Sequence, residues 1–461
     1  MLLSAKLKKL IIQMKSFLIH EATIVNENKK QTGSVLIKTG KIDTIYNKKV
    51  PRDVIQSSET INAKGKYLFP GVIDEHVHFR EPGLTHKADI LSESKAAVAG
   101  GVTSYMEMPN TNPQTITTRA LDDKLRIAAT KSLANYAFYI GATNNNLDEL
   151  LRVDPTKTCG IKVFMGASTG NMLVNNPDTL KHLFSEVKML IAVHAEDEDI
   201  IQKNLQLYRK RYNDNIPVYL HPEIRSEQAC YKSTLKAVEL ANQYNTRLHI
   251  LHLSTAREPE LLEGRPYSKN KLITGEVCVH HLWFDDSDYK SLGTRIKWNP
   301  AIKTRKDREA LLEAVKSNKI DTIATDHAPH TWNEKNRDYL HSPSGGPMIQ
   351  HSLPAMLEMH NRNLVDLETI VEKMCHTPAR IFSVEKRGFI RKGYWADLVL
   401  VNPDKPWIVS RDNILYKCCW SPLEGTQFKN RIEKTFVNGQ LVFDNGIIND
   451  AIRGNALTFN P

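Results

Sequence analysis

Hydrophobic and polar positions follow one pattern at the two ends of the chain and another in the middle. Short apolar runs separated by turns fill the N-terminal region, at residues 17–25, 34–38 and 41–46. The C-terminal region repeats this texture at 396–401, 435–437 and 441–443, where Asn438-Gly439 is a strong hairpin signal. Because no helical pattern separates these runs, we predict one small β-sandwich domain built from both chain ends.

The middle of the chain alternates short apolar runs with helical patterns such as residues 226–244. Eight runs read as strands: 72–79, 103–108, 137–142, 160–165, 190–194, 247–252, 272–279 and 321–325. Eight strand–helix units predict an α/β fold, a (β/α)8 TIM barrel. The predicted boundaries are a flexible extension at 1–13, β-sandwich at 14–65 and 391–461, and the barrel at 66–390.

Polar residues that carry chemistry follow the first of these strands. The apolar run 67–73 reads as a buried strand, and His76 and His78 lie on its continuation, three and five positions after residue 73. Residues two apart on a strand point to the same side, so the two imidazoles lie side by side, as a metal site requires. Arg80 continues that face and adds a cation, which indicates a metallohydrolase for an anionic substrate.

Further polar residues lie at the ends of four other predicted strands: Lys162, His194, His252 and Asp326. Each alone has an ordinary explanation, since a single His is more often structural and Asp326 could cap the next helix. Lys162 has apolar neighbours, and burial disfavours its charged amine. A neutral amine can react with carbon dioxide to form a carbamate. The chemistry of this fold lies at the carboxyl ends of the strands, so the residues form a candidate site.

Composition and charge exclude several classes of function. The net charge is +10, but the basic residues are scattered and the densest cluster, Arg209-Lys210-Arg211, lacks interleaved aromatics. We therefore expect no nucleic-acid partner. No apolar run approaches the ~20 residues of a membrane span, so we expect no membrane partner. Six cysteines without a Cys-x-x-Cys pair fit a reducing, cytoplasmic location.

The motifs in combination resemble those of the dihydroorotases, cyclic amidohydrolases of the amidohydrolase superfamily. They are DEHVHFREPG (74–83), EMPNTNP (107–113), GIKVFMG (160–166), VHAED (193–197), HILHLST (249–255), EVCVHHL (276–282), TDHAPH (325–330) and GYWADLVL (393–400). The resemblance extends over nearly the whole chain. It implies a reversible cyclisation of N-carbamoyl-L-aspartate to (S)-dihydroorotate in pyrimidine biosynthesis, with a possible homodimer.

The same resemblance implies a binuclear zinc centre. His76, His78 and Asp326 would hold the more buried ion, and His194 and His252 the second. A hydroxide and a carboxylated Lys162 would bridge them. Imidazole and carboxylate ligands suit zinc. Asp326 would also carry the proton between the nucleophile and the leaving ring nitrogen.

Substrate recognition, by the resemblance, falls to four residues. Arg80 offers a planar two-pronged donor for the substrate carboxylate, Asn110 and His330 are its partners, and Asn299 would read the ring amide. Residues 331–347 could form a mobile lid or an ordinary barrel loop. We expect supporting roles for a further set: His280, His281, His327, His86 and Glu81.

Two alternatives remain open from the sequence. Allantoinases and dihydropyrimidinases share the metal ligands but typically lack an Arg at the position of Arg80. A catalytically inactive scaffold would be expected to lose metal ligands, and this chain retains all of them.

Overall fold

The computed structural model describes residues 15–166 and 172–460. The predicted extension at 1–13 lies outside the described residues. The described part has twenty strands: β1 (Phe17–Asn26), β2 (Lys29–Lys38), β3 (Lys41–Tyr46), β4 (Glu59–Asn62), β5 (Tyr67–Pro70), β6 (Val72–Val77), β7 (Val102–Glu107), β8 (Asn135–Phe138), β9 (Ile140–Gly141), β10 (Ile161–Phe164), β11 (Ile191–His194), β12 (Leu248–Ile250), β13 (Ile273–Cys278), β14 (Thr322–Ala324), β15 (Leu398–Asn402), β16 (Trp407–Ile408), β17 (Gln427–Phe428), β18 (Arg431–Val437), β19 (Gln440–Asp444) and β20 (Ile447–Ile448).

The helices of the described residues lie mainly between the strands of the middle region. They are α1 (Arg52–Ser57), α2 (Ile90–Ala99), α3 (Thr118–Lys131), α4 (Leu147–Arg152), α5 (Pro177–Glu186), α6 (Glu198–Tyr212), α7 (His221–Ile224), α8 (Glu227–Tyr244), α9 (Val279–Trp283), α10 (Tyr289–Leu292), α11 (Arg305–Lys316), α12 (Trp332–Lys335), α13 (Ser352–Asn361), α14 (Leu367–Val371) and α15 (Thr377–Ile381). None of these helices has the length and apolar character needed to cross a bilayer.

Both chain ends contribute to one β domain, as predicted. Its strands form a single nine-stranded sheet in the order β20-β19-β18-β15-β5-β1-β2-β3, with β4 also paired to β1. The two halves of the chain meet where β5 and β15 pair in antiparallel fashion. Strands from both halves contribute to one apolar cluster, in which the rings of Phe17 and Phe436 lie 5.3 Å apart.

The first domain boundary differs from the prediction. The apolar run 67–73 is two strands, not one: β5 belongs to the β domain, and β6 is the first barrel strand. Gly71 separates them, and its amide donates to the carbonyl oxygen of Asp397 at 2.8 Å. A Cβ at Gly71 would lie 2.0 Å from Oγ1 of Thr103, so only glycine fits this crossing. The boundary therefore moves from residue 65 to residue 71.

The barrel contains the eight predicted strands, with ends displaced by a few residues. β6, β7 and β8 pair in parallel, as do β9 through β14, and the third predicted strand is the two short pieces β8 and β9. The barrel closes between β14 and β6, where the amide of His78 donates to the carbonyl oxygen of His327 at 2.7 Å. This closure brings the ends of the first and eighth strands together.

Two parts of the C-terminal region leave the β domain, so the prediction of sandwich throughout 391–461 is wrong. The segment 403–430 reaches the barrel, where the Trp420 indole donates to the carbonyl oxygen of His330 at 2.8 Å. The last residues return along the barrel, and the amide of Leu457 donates to the carbonyl oxygen of Tyr136 at 2.8 Å. Short apolar runs alone could not reveal which of them pair within the sheet.

Candidate metal centre and active site

The first cluster of site residues forms where β6 and β14 end. Nε2 of His78 lies 3.0 Å from Oδ1 of Asp326, and Nε2 of His76 lies 3.2 Å from the same oxygen. All three side chains are buried. Burial raises the pKa of Asp326, but the imidazoles of His76 and His78 outweigh it and hold that pKa below its ordinary value. Asp326 is therefore a carboxylate at neutral pH, beside two nitrogens able to bind a cation.

Both histidines of this cluster are oriented by a hydrogen bond on their other ring nitrogen. Nδ1 of His76 lies 2.9 Å from Oε1 of Glu276, and Nδ1 of His78 lies 2.8 Å from Oδ1 of Asn110. A partner that accepts from Nδ1 places the proton there and leaves Nε2 free as a ligand. Burial alone would lower the pKa of His76, but Glu276 and Asp326 raise it above its ordinary value.

The second cluster lies at the ends of β11 and β12. Nδ1 of His194 lies 2.8 Å from Nε2 of His252, and both imidazoles are buried. Burial lowers the pKa of each, so both are neutral and able to donate electron pairs. Nε2 of His194 lies 2.9 Å from a carboxylate oxygen of Glu196, which is itself paired with Arg225. Glu196 thus places a negative charge beside His194, but without the hydrogen bond that joins Glu276 to His76.

Lys162 projects into the same cavity from β10. Its side chain is buried and its ammonium nitrogen lies 4.7 Å from the centre of the Phe164 ring. Burial lowers the pKa of Lys162 to about 7, so a large fraction of this amine is neutral at physiological pH. A neutral primary amine is the form that reacts with carbon dioxide, which agrees with the carbamate expected from the sequence.

Three of these residues have backbone conformations that only glycine adopts readily. The φ angles are 68° at Arg80, 41° at His252 and 42° at Asp326. Non-glycine residues in this left-handed region are uncommon and concentrate at functional sites.

The described residues enclose a cavity of about 470 Å³ at this end of the barrel. Its lining includes every residue that the sequence assigned to the site: His76, His78, Arg80, Asn110, Lys162, His194, His252, Asn299, Asp326 and His330. The prediction that one cavity unites these side chains is therefore consistent with the geometry. Phe164, Glu198, Ala328 and residues 343–345 complete the described part of the wall.

Arg80 and His330 lie together on one side of this cavity. Nε of Arg80 donates to the carbonyl oxygen of Pro329 at 3.1 Å, and its Nη2 lies 3.1 Å from Nε2 of His330. The Arg80 side chain is buried, with no carboxylate within salt-bridge distance among the described residues. A buried guanidinium without an anionic partner is a site that favours an anionic ligand.

The other two predicted substrate contacts, Asn110 and Asn299, also line the cavity. The side-chain oxygen of Asn110 accepts from Nδ1 of His78, and its amide nitrogen can donate to a ligand. The side-chain oxygen of Asn299 is buried and has no partner among the described residues, as expected for a group that binds substrate. Residues 343–345 line the cavity as well. The ammonium of Lys335 donates to the carbonyl oxygen of Pro343, and that of Lys297 donates to the carbonyl oxygens of Tyr339 and Ser342 just before this segment.

The residues expected to have supporting roles lie outside the cavity lining. His280 stacks on Trp298 at 4.3 Å, and Nε2 of His281 lies 3.1 Å from the carbonyl oxygen of Pro300. His327 pairs with Glu93 on the opposite face of its strand at 2.8 Å. Glu81 contacts Lys131 and accepts from the amide of Ile90. His86 is exposed and lies 3.8 Å from Glu334.

Sequence reasoning missed the residues that orient the ligands. The sequence motifs assign no role to Glu276, Glu196 or Trp420, although the first two lie within motifs quoted above. An acidic residue between apolar neighbours on a barrel strand, such as Glu276 on β13, was an available signal. Trp420 gave no signal, because its contact with His330 joins segments 90 positions apart.

The donor set fits metal ions. The nitrogens of His76 and His78 converge on one carboxylate oxygen, and the nitrogens of His194 and His252 face each other. Two lone pairs that face each other at hydrogen-bond distance need either a proton or a cation between them. The described residues also include a ligand group of His76, His78 and Asp326 with closely spaced atoms. Imidazole and carboxylate donors suit zinc and similar divalent ions.

Comparison with known proteins agrees with this geometry. The family model described as "Amidohydrolase family" matches residues 67–442. The chain belongs to the amidohydrolase family. As a member of this metal-dependent family, the protein is a hydrolase, and its homologues identify it as a cyclic amidohydrolase.

Curated relatives of this amidohydrolase include several dihydroorotases. That of Methanosarcina acetivorans is 32% identical over 88% of this chain and 88% of its own length. That of Pyrococcus furiosus is 32% identical over 92% of this chain and 91% of its own length. Among solved structures, the L-hydantoinase (dihydropyrimidinase) of Arthrobacter aurescens superposes with a TM-score of 0.90 at 27% identity, covering 96% of this chain and 100% of that one. The barrel and β domain are therefore the family's architecture.

Proposed function

We propose that this amidohydrolase is a dihydroorotase, which interconverts N-carbamoyl-L-aspartate and (S)-dihydroorotate in the de novo synthesis of pyrimidine nucleotides. The observation that supports this most directly is the buried Arg80 guanidinium beside the metal-ligand cluster, with His330 3.1 Å away. A ring that bears a carboxylate would place that group against Arg80 and its amide carbonyl toward the histidines. The dihydroorotase relatives support the same substrate.

We further propose that two zinc ions bind in the cavity. The three residues His76, His78 and Asp326 would hold one, and His194 and His252 the other. Lys162, carboxylated, would bridge them. When bound, such a pair supplies a nucleophile from water at neutral pH and polarises the ring carbonyl. The lowered pKa of Lys162, caused by burial, supports the carbamate because it keeps the amine reactive.

The remaining steps fall to the chain's own side chains. Arg80, His330 and the amide nitrogen of Asn110 bind the ring carboxylate and fix the orientation of the ring. Asp326, ionised in the resting protein, accepts the proton of the attacking water and transfers it to the ring nitrogen as the C–N bond breaks. Cyclisation runs these steps in reverse. Asn299 would hold the ring amide through its unpartnered oxygen.

A second candidate is a hydantoinase or dihydropyrimidinase, because the L-hydantoinase of Arthrobacter aurescens has the same architecture. Those rings lack the carboxylate, and Arg80 would then face no anion. Allantoinase shares this difficulty. A catalytically inactive scaffold is disfavoured because every expected ligand side chain lines the cavity.

The experiment is an assay of the purified protein in both directions, with and without chelator. We expect it to form dihydroorotate from N-carbamoyl-L-aspartate at mildly acidic pH and to open the ring at alkaline pH. Chelation should abolish both reactions, and zinc with bicarbonate should restore them. Hydrolysis of hydantoin, dihydrouracil or allantoin without action on dihydroorotate would contradict the proposal.

A further inference from the structure

Lys87 lies outside the cavity and contacts the side of it that Arg80 and His330 form. Its ammonium nitrogen lies 3.1 Å from Nδ1 of His330 and 2.9 Å from Oε1 of Glu334. Its side chain is 15% exposed, and it does not line the cavity. Lys87 therefore acts on a ligand only through His330, which does line the cavity.

The contacts of His330 determine which ring nitrogen carries the proton. An ammonium group has donors and no lone pair, so Nδ1 opposite Lys87 must be the unprotonated acceptor. The proton then lies on Nε2, where the carbonyl oxygen of Ser344 accepts it at 3.0 Å. The imidazolium form, with protons on both nitrogens, would place an N–H of Nδ1 against the ammonium of Lys87.

In this tautomer, the contact between His330 and Arg80 is not a hydrogen bond. Nη2 of Arg80 lies 3.1 Å from Nε2 of His330, but a protonated Nε2 cannot accept from it. The two donors therefore lie side by side, and neither satisfies the other. A ligand carboxylate oxygen that approaches both would accept from Arg80 and would share the Nε2 proton with the carbonyl oxygen of Ser344.

Glu334 fixes Lys87 in turn. Its Oε2 accepts from the amide of Thr331 at 3.0 Å and from the Thr331 hydroxyl at 2.9 Å, which closes the first turn of α12 directly after His330. Its Oε1 remains for Lys87. One short turn thus positions both the lysine and the histidine.

We propose that Lys87 is a positioning residue for carboxylate recognition: it holds His330 in the Nε2-protonated tautomer, so that His330 and Arg80 present two donors to the substrate carboxylate. The proposal rests on the proposed function, since the carboxylate-bearing substrate is taken from it. Without Lys87, the proton can move to Nδ1, and Nε2 then accepts from Arg80. The two side chains would satisfy each other and bind the carboxylate weakly.

The kinetic test uses Lys87→Met, Lys87→Arg and a matched control, Lys95→Met, which removes a lysine paired with Asp450 at the same distance of 2.9 Å. Lys87→Met should raise the KM for dihydroorotate about tenfold or more, the cost of losing a hydrogen bond to a charged group. We expect kcat to change by less than about threefold, because Lys87 does not touch the reacting atoms. Lys87→Arg also has only donors and should restore most of the affinity, whereas Lys95→Met should behave as wild type. An unchanged KM in Lys87→Met, or an equal loss in kcat, would overturn the proposal.

A second measurement is independent of catalysis. The 15N spectrum of histidine-labelled wild-type protein distinguishes a protonated from an unprotonated ring nitrogen, and a His330→Asn variant identifies the His330 signals. We expect His330 to be neutral with the proton on Nε2 in wild type and to shift toward the Nδ1 tautomer in Lys87→Met. A proton on Nδ1 of wild-type His330 would refute the proposal. If the spectrum agrees while the wild-type protein ignores dihydroorotate, the proposed function fails and the tautomer assignment stands.

Discussion

Oδ1 of Asn110 accepts a hydrogen bond from Nδ1 of His78 at 2.8 Å. The sequence motifs predict only a substrate contact for Asn110. In the structure its oxygen orients an imidazole that we propose as a metal ligand, and its amide nitrogen lies at the cavity. One side chain therefore connects the proposed metal site to the proposed site of the substrate carboxylate.

This double role predicts different effects for two substitutions of Asn110. Asn110→Asp keeps an oxygen for Nδ1 of His78, so metal affinity should stay near wild type. Its charge would repel the substrate carboxylate, and KM should rise at least about tenfold. Asn110→Ala removes both contacts, so metal affinity should also fall by about tenfold or more. Zinc competition with a chelator and steady-state kinetics measure the two effects, and equal metal affinities in the two variants would contradict the dual role.

Glu276 is predicted to control metal affinity without touching the metal. Its Oε1 lies 2.9 Å from Nδ1 of His76 and accepts from the amide of His252 at 2.9 Å. Glu276→Gln keeps the shape but removes the charge, and we expect zinc affinity to fall about 10- to 100-fold. The matched control is Glu258→Gln, another buried carboxylate, which accepts from Ser254 and Thr255. The control should lower thermal stability only, and a normal zinc affinity in Glu276→Gln would exclude the orienting role.

Lys162 is predicted to act as a carbamate. Lys162→Ala should lose at least about 100-fold in kcat, since two metal ions would lack their bridging anion. Acetate or propionate should restore part of the activity by occupying the space that the side chain leaves. Lys162→Arg fills that space, so these acids should not rescue it. Rescue of both variants, or of neither, would count against a bridging carboxylate at this position.

Lys297 is predicted to make stability depend on pH. Its ammonium donates to the carbonyl oxygens of Tyr339 and Ser342, both at 2.6 Å, and burial lowers its pKa from 10.5 to about 8. Below pH 8 Lys297 is charged in both the folded and unfolded states, and burial of the charged ammonium destabilises the folded state by its full amount. Between pH 8 and 10.5 the unfolded chain binds more protons, so stability rises with pH.

Comparison of wild type with Lys297→Met isolates this effect. The free energy of unfolding of wild type, relative to the variant, should increase by about 2 kcal/mol between pH 7 and pH 9.5. Denaturant unfolding of the metal-free protein at the two pH values measures it. Lys181→Met on the surface of α5 serves as a control. A constant difference across the range would show that Lys297 is not the group that titrates.

The fold was largely predictable because its signals are local. Eight alternating strand and helix patterns identified the barrel, and the Asn438-Gly439 turn identified a hairpin of the β domain. The boundary at Gly71 was missed because an uninterrupted apolar run conceals a change of sheet. The excursion at 403–430 was missed because its anchor, Trp420 on His330, joins residues distant in sequence.

The candidate site likewise contains residues that the sequence predicts and residues that it does not. That the candidate ligand residues line one cavity was predictable, because a barrel places the carboxyl ends of all its strands at one rim. The residues that orient them were not, since Glu276 and Lys87 act through hydrogen bonds whose distances depend on the packed structure. The split role of Asn110 likewise depends on which way its amide faces.

The most direct test of the account compares wild type with Arg80→Ala on two substrates, dihydroorotate and dihydrouracil, which differ by the ring carboxylate. For wild type, we predict a kcat/KM for dihydroorotate at least about 100-fold above that for dihydrouracil, the effect of a charged pair in a buried site. Arg80→Ala should lose that preference through KM for dihydroorotate while its zinc content stays normal. A wild-type preference for dihydrouracil, or a preference for dihydroorotate that survives Arg80→Ala, would contradict the assignment.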